Sequence, residues 1–187
     1  MTTEAISTLL GTPVDLETAR ERLPQRNGVY ARWTLAGAIP GVPERLHPVE
    51  SNLALFYVGI APVRASSSAT LNSRVVGNHL KGNTGSSTFR LTLASLLIDE
   101  LGFRPRQTKT KFVLPPDQNR RLSDWQQSNL RLTWSEHDKP WNIEDAVIAE
   151  LEPPLNLAKN ASHPFHSTLT KARERFRGAA RNAAPQS

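Results

Sequence analysis

The chain has 187 residues, with 23 Lys and Arg against 17 Asp and Glu, and it contains no Cys. This length predicts one compact domain, and the lack of Cys excludes a disulfide framework, a thiolate metal site and a cysteine nucleophile. There is no run of about 18 apolar residues and no signal-peptide pattern at the N-terminus, so we expect a cytoplasmic protein without a membrane span. The net charge of +6 favours a polyanionic partner, nucleic acid before a membrane.

The first predicted elements are a short helix and a strand. The helix covers 16–23, where Asp15 is in the capping position and Pro24 ends the helical pattern. Residues 28–34 alternate as a strand does. The two predicted faces of this strand are Val29, Ala31 and Trp33 on one side, and Tyr30 and Arg32 on the other.

A second strand is predicted over 54–60. Its two predicted faces are Phe56, Val58 and Ile60 on one side, and Leu55, Tyr57 and Gly59 on the other. If the two strands pair antiparallel, both tyrosines of the chain stand on the same side of the sheet. The segment between them, 35–53, contains three Pro and two Gly and is too long for a tight hairpin, so it predicts an extended loop.

The rest of the chain predicts more helix than strand. Helices are predicted over 70–80, 88–101, 117–128, 143–151 and 170–181, and a third strand over 129–135. The expected fold class is α/β, with a small central antiparallel sheet of about three strands, 27–34, 54–60 and 129–135, flanked by helices. The expected segments are a helical lead-in over 1–26, a main domain over 27–157 with the 35–53 loop inserted, and a basic C-terminal helix and tail over 158–187.

Five short motifs occur in order along the main domain. They are Gly28-Val29-Tyr30, Tyr57-Val58-Gly59, Arg74 in a predicted helix, Glu144 at the start of another helix, and Asn156 shortly after Pro154. In these residues the chain resembles the GIY-YIG nuclease superfamily, with Val in place of Ile in both tripeptides. One tripeptide alone carries little weight, but the order and the spacing of all five motifs are specific.

The resemblance implies a metal-dependent endonuclease that hydrolyses DNA phosphodiester bonds. It implies that Glu144 holds one divalent ion, Mg²⁺ or Mn²⁺, and that the guanidinium of Arg74 binds the phosphate. Tyr30 would position or deprotonate the attacking water, and Tyr57 would support it by hydrogen bonding. Asn156 would orient the site through an amide that both donates and accepts. No small-molecule organic cofactor is expected.

His79 is a further candidate catalytic residue. Some members of the superfamily have a His or Tyr one helical turn after the arginine, but His79 follows Arg74 by five residues rather than four. On a continuous α-helix this offset rotates His79 about 140° away from Arg74. If Gly77, which lies between them, ended the helix early, this rotation would no longer separate His79 from Arg74. The sequence therefore leaves open whether His79 belongs to the site.

Two basic segments are candidates for contact with DNA, single- or double-stranded. The loop before the 88–101 helix offers Lys81, Ser86 and Ser87, and the helix itself offers Arg90. The C-terminal helix offers Lys171, Arg173, Arg175 and Arg177. The sequence leaves the oligomeric state and the biological substrate open.

Two other interpretations compete with the enzyme. In the first, the protein is a catalytically weak nucleic-acid-binding module on the same fold. In the second, it is a basic interaction protein whose motifs are coincidental. Taken singly, each residue has an ordinary role: Tyr30 and Tyr57 suit a half-buried strand, and Glu144 suits the first turn of a helix. Their joint order and spacing favour the enzyme, and cleavage of nucleic acid distinguishes it from both alternatives.

Overall fold

The computed structural model describes residues 2–183. Its α-helices are α1 (Thr2–Leu9), α2 (Leu16–Arg22), α3 (Thr88–Leu96), α4 (Pro116–Asn129), α5 (Glu144–Leu151) and α6 (His166–Asn182). Its strands are β1 (Val14–Asp15), β2 (Gly28–Leu35), β3 (Arg45–Leu46), β4 (Leu53–Ala61), β5 (Arg106–Gln107), β6 (Phe112–Val113) and β7 (Leu130–Glu136). A π-helix spans Ser73–Leu80 and a short 3₁₀ helix spans Pro140–Asn142. Within residues 2–183 no helix combines the length and the apolar character needed to cross a membrane.

The central sheet is antiparallel and has five strands in the order β1-β7-β2-β4-β3. The predicted α/β class and the antiparallel sheet are confirmed, but the prediction of about three strands was too low. The two additional strands, β1 and β3, have two residues each and lie at the edges of the sheet. Such short strands have no alternating pattern that a sequence could reveal, and β3 lies inside the predicted 35–53 loop.

Each face of the sheet is covered by its own hydrophobic layer. The face with Val29, Ala31 and Trp33 packs with residues of α1 and α5. The face with Tyr30 packs with residues of α2, the π-helix, α3, α4 and α6. In α6 the buried residues are Leu169, Phe176 and Ala180. The N-terminal and C-terminal segments therefore contribute to the same layers as the predicted main domain.

A β-bulge interrupts the alternation of β4. Arg32 pairs with Tyr57 and Trp33 pairs with Leu55, so Phe56 has no residue opposite it. As a result Phe56 and Tyr57 both contribute to the layer that contains Tyr30, while Leu55 lies in the opposite layer with Val58 and Ile60. The predicted faces were therefore wrong for Leu55 and Phe56, because an extra residue shifts the period of two.

The segment after α5 closes the outer edge of β4 where β3 ends. β3 pairs only with Ala54 and Leu55, so the next backbone groups of β4 need other partners. The Leu155 N–H donates to the carbonyl of Phe56 at 3.2 Å. The Asn156 amide bonds both backbone groups of Val58: Oδ1 accepts from its N–H at 2.9 Å, and Nδ2 donates to its carbonyl at 2.7 Å. Asn156 thus holds β4 in place between Tyr57 and Gly59.

Candidate active site

The two signature glycines make room for neighbouring groups. Gly59 lies directly opposite Tyr30 in the sheet, and a Cβ atom at Gly59 would lie only 2.5 Å from Cζ of the Tyr30 ring. A Cβ atom at Gly28 would collide with the backbone carbonyl of Ser135 and lie 2.8 Å from Leu71 Cδ1. The glycine of the second tripeptide is therefore what allows the tyrosine of the first to lie across β4.

Tyr30 is fully buried, and its hydroxyl lies 2.9 Å from Nε2 of His79. The structure thus brings His79 to the tyrosine, which the sequence had left open. The reason is the π-helix: its hydrogen bonds join residues five apart, as the Lys81 N–H and the Val76 carbonyl do at 3.0 Å. Residues five apart lie on nearly the same face of such a helix, so Arg74 and His79 both face the sheet.

His79 is held from its other side by the N-terminus of α3. Its Nδ1 atom lies 2.7 Å from Oγ of Ser87, which is also the N-cap of α3 and accepts from the Arg90 N–H at 3.2 Å. Ser87, His79 and Tyr30 form a buried hydrogen-bonded row. Either tautomer of a neutral imidazole fits between the two hydroxyl groups, because each hydroxyl both donates and accepts.

Arg90 fixes the C-terminal end of the π-helix. Its guanidinium is buried; Nη1 donates to the carbonyl oxygens of His79 and Leu80 at 3.0 and 3.1 Å, and Nη2 donates to Oδ1 of Asn119 in α4 at 3.0 Å. Burial and these internal bonds do not fit the expectation that Ser87 and Arg90 contact DNA, because neither side chain reaches the surface. Lys81 and Ser86, from the same predicted group, are exposed.

Four of the predicted catalytic residues line one surface cleft of about 240 Å³. They are Tyr57, Arg74, Glu144 and Asn156. The cleft is also lined by Lys159 and by Arg173 of α6, which the sequence had grouped only with the basic C-terminal helix. Tyr30 is buried beside this cleft, and the centroid of its ring lies 6.2 Å from that of Tyr57.

Glu144 is the acidic group of the cleft. It begins α5, its side chain is 12% exposed, and Nζ of Lys159 lies 2.6 Å from its Oε2 atom. The same ammonium lies 2.7 Å from Oδ1 of Asp145, whose side chain is 81% exposed. Sequence reasoning missed Lys159, since a single Lys in a loop carries no signal. The ammonium demonstrates that a cation is accommodated at this carboxylate.

The acidic side chain of the cleft suits an ion such as Mg²⁺ that keeps several water ligands, rather than an ion held entirely by protein ligands. Within residues 2–183 no group of three or more His, Cys, Asp or Glu side chains is arranged to hold a metal. Mg²⁺ is commonly bound through one or two carboxylates and takes its other ligands from water and substrate phosphate. Glu144 in an open cleft fits that requirement, whereas zinc would need three or four protein ligands.

Arg32 is the buried charge that sequence reasoning left without a role. It is fully buried, and none of its three guanidinium nitrogens has a hydrogen-bond partner among the described residues. Its Cζ atom lies 4.2 Å from the ring centroid of Phe89 and 5.7 Å from that of Tyr30. Burial lowers the pKa of Arg32 to about 10, so the group stays charged at neutral pH. Its only sequence signal was a basic residue within an otherwise apolar strand.

The electrostatics of the site oppose ionisation of the tyrosines and protonation of the histidine. Burial raises the pKa of Tyr30, and the positive charges of Arg32 and Arg74 act in the opposite direction. Burial also raises the pKa of Tyr57, with a further contribution from Tyr30. Burial lowers the pKa of His79 well below its usual value, and the charges of Arg32, Arg74 and Arg90 lower it further. His79 is therefore neutral at pH 7.

The sheet thus presents Tyr57 in one cleft with Arg74 and Glu144, and Tyr30 lies buried beside that cleft. Residues 28–175 match the family model described as GIY-YIG catalytic domain, so the chain belongs to the GIY-YIG family. The matched region continues past the expected domain end at 157 into α6. Searches among curated proteins and among solved structures gave no match.

The buried, neutral state of His79 has a consequence for stability. Below pH 6.5 the unfolded chain binds a proton at His79 that the folded chain excludes, so this residue makes folding less favourable as the pH falls. Between pH 7.5 and 5.5 we expect the free energy of unfolding to fall by about 1.4 kcal/mol more in the unmodified protein than in His79→Gln. Urea unfolding at the two pH values measures this difference.

A smaller loss in His79→Gln than in the unmodified protein is the expected result. Equal losses in the two proteins would mean that His79 takes up a proton in the folded state as readily as in the unfolded state, and that burial does not keep it neutral.

Proposed function

We propose that this protein is a metal-dependent endonuclease that hydrolyses phosphodiester bonds of DNA. The observation that carries the proposal is the single cleft lined by Tyr57, Arg74, Glu144 and Asn156, with the Tyr30–His79 pair directly beside it. Membership of a nuclease family supports a nucleic-acid substrate. The net charge of +6 is consistent with a polyanion as the partner.

Arg74 is the proposed phosphate ligand. Its side chain lines the cleft, its Nε atom has no hydrogen-bond partner, and it takes part in no salt bridge within residues 2–183. A planar guanidinium that is not already committed to a carboxylate is available to bind two phosphate oxygens. Asn156 has no such freedom, because both ends of its amide bond the backbone of Val58.

Glu144 is the proposed ligand of the divalent ion, Mg²⁺ or Mn²⁺. Such an ion would neutralise charge on the scissile phosphate and on the leaving oxygen. Lys159 has to leave the carboxylate when the ion binds, and its 42% exposed side chain is free to turn into solvent. The two states of Glu144, paired with Lys159 or with the metal, therefore differ by movement of one surface side chain.

Tyr30 and Tyr57 are the proposed acceptors of the proton from the attacking water. Tyr57 lines the cleft and Tyr30 lies behind it, so Tyr57 links the water to the buried Tyr30–His79 pair. In the step, the water oxygen forms a bond to phosphorus and the bond from phosphorus to the leaving sugar oxygen breaks. The water proton passes by way of the Tyr57 hydroxyl to ionised Tyr30, and the leaving sugar oxygen takes up a proton from solvent. Positive charge nearby is needed to make the ionised form of Tyr30 accessible.

The basic face of α6 is the proposed path of the DNA away from the cleft. Arg173 lines the cleft, and Arg177 and Arg181 follow it at intervals of four residues on the same helix face. Arg177 and Arg181 line an adjacent groove of about 430 Å³ together with Lys111 and Phe112.

The other basic residues of α6 belong to a different face. Arg175 pairs with Asp99 at 2.8 Å, and Lys171 lies one turn before it. We therefore assign the DNA contact to Arg173 and Arg177 rather than to all four residues predicted from the sequence.

The first test is cleavage of supercoiled plasmid and of single-stranded DNA, with Mg²⁺, Mn²⁺ or EDTA. We expect cleavage that needs the metal and that falls by about 100-fold or more in Glu144→Ala, since the ion loses its protein ligand. Asp145→Ala is the matched control: it removes the same charge from the adjacent, exposed position and should keep the activity within about threefold of the unmodified rate.

Each other outcome of this assay overturns part of the proposal. Binding without cleavage on every substrate would make the protein a nucleic-acid-binding module, and neither binding nor cleavage would make it a basic interaction protein. Equal losses in Glu144→Ala and Asp145→Ala would remove Glu144 from the metal site.

The second test compares two double variants of α6 that remove the same charge. Arg173→Ala with Arg177→Ala should weaken DNA binding and reduce the slope of log affinity against log salt by about 2, one for each lost phosphate contact. Lys171→Ala with Arg175→Ala should change both quantities much less. Fluorescence anisotropy across a salt series measures them, and equal effects of the two pairs would contradict the assigned path.

A further inference from the structure

Among residues 2–183, Arg32 and Arg90 are the two fully buried arginines, and they differ in their hydrogen-bond partners. Arg90 makes five hydrogen bonds through its two terminal nitrogens, to backbone and side-chain oxygens. Arg32 makes none through any of its three nitrogens, and its guanidinium lies against the rings of Phe89 and Tyr30. A charge buried without an acceptor is unfavourable for folding, so Arg32 is not explained as a structural clamp of the kind that Arg90 is.

Of the described residues, those that act on Tyr30 include cations but no carboxylate. Arg32 of β2 and Tyr57 of β4 face Tyr30 from the sheet. Arg74 and His79 face it from the π-helix, and α3 contributes the neutral ring of Phe89, which packs against Tyr57 and His79. Glu144 of α5 acts on Tyr57. Arg90, also from α3, acts on His79.

Within residues 2–183 no salt bridge includes Arg32 or Arg74. The two phenols are therefore the groups beside Arg32 that are able to become negative.

We infer that Arg32 is a positioning residue for the tyrosine base: its fixed charge stabilises the Tyr30 phenolate, which is its ion-pair partner during the reaction. The catalytic use of this interaction rests on the proposed function, but Arg32 and Tyr30 interact whether or not substrate is bound. Arg32 cannot touch DNA or the metal, because it has no exposed surface. It acts through Tyr30, whose ring lies 5.7 Å from its guanidinium carbon.

Arg74 does not replace Arg32 in this task. Arg74 lines the cleft and is the proposed ligand of the phosphate, so part of its positive charge is neutralised when substrate binds. Arg32 is sealed from the cleft and keeps its charge throughout. Burial raises the pKa of Tyr30, and the positive charge of Arg32, followed by that of Arg74, lowers it.

The test is a direct titration of Tyr30 that needs no enzymatic activity. Because the chain has only two tyrosines, Tyr57→Phe leaves Tyr30 as the single phenol. Replacing tyrosine by a fluorinated tyrosine, whose phenol is more acidic, brings the titration within the stability range of the protein, and ¹⁹F NMR follows it. In this background we expect Arg32→Met to move the midpoint to higher pH by about one unit or more, and Arg32→Lys to restore most of the shift.

Thermal unfolding separates this role from a structural one. We expect Arg32→Met to melt at the same temperature as the parent or higher, because it removes an unpaired buried charge. Arg90→Met is the matched control and should melt at a lower temperature, since it leaves the carbonyls of His79, Leu80 and Asn119 without their donor. An unchanged or lowered Tyr30 midpoint in folded Arg32→Met would overturn the inference, whatever the cleavage assay gives.

A second measurement decides the matter if Arg32→Met does not fold. Tyr30 is more deeply buried than Tyr57, so burial alone would make Tyr30 the harder of the two to ionise. With Arg32 as its partner, Tyr30 should ionise at lower pH than Tyr57, as seen by comparing the single-tyrosine variants Tyr57→Phe and Tyr30→Phe. The reverse order would overturn the inference.

Discussion

The hydrogen bond of 2.9 Å between the Tyr30 hydroxyl and Nε2 of His79 is the contact on which the site depends, because it joins the sheet to the helical layer. On the sheet side it requires Gly59, which leaves the space that the tyrosine ring occupies. On the helical side it requires a π-helix, which turns His79 to the same face as Arg74. Arg90 then fixes the end of that helix by bonding its last carbonyl oxygens.

The charges around this contact are distributed unevenly. Arg32 and Arg74 act on the tyrosine side of the cleft, while Glu144, with Lys159 bound to it, forms the acidic side. This separation suits the proposed hydrolysis, in which one side lowers the cost of an ionised phenol and the other receives a cation. Burial of an unpaired charge is unfavourable for stability, and a site that uses one gains an electrostatic effect that water cannot screen.

The sequence predicted the parts of this arrangement that depend on pattern and missed those that depend on packing. The two tyrosine strands, the α/β class and the antiparallel pairing follow from alternation and motif order. The bulge at Phe56, the π-helix and the two-residue edge strands have no periodic signature, so tertiary contacts decide them. The burial of Ser87 and Arg90 could not be read from the sequence either, since a basic residue near a Ser-rich loop has the same pattern whether it faces solvent or a helix end.

The proposed hydrolysis requires the hydroxyl of Tyr30, which is buried beside the cleft. Tyr30→Phe isolates this requirement, because it removes one oxygen atom, keeps the ring that lies against Gly59, and leaves Glu144 and Arg74 in the cleft. The measurement is the rate of metal-dependent plasmid cleavage at saturating DNA, with binding followed in parallel. We expect unchanged DNA binding and a cleavage rate reduced by about 100-fold or more. Cleavage at the unmodified rate by a folded Tyr30→Phe protein would remove this hydroxyl from the reaction.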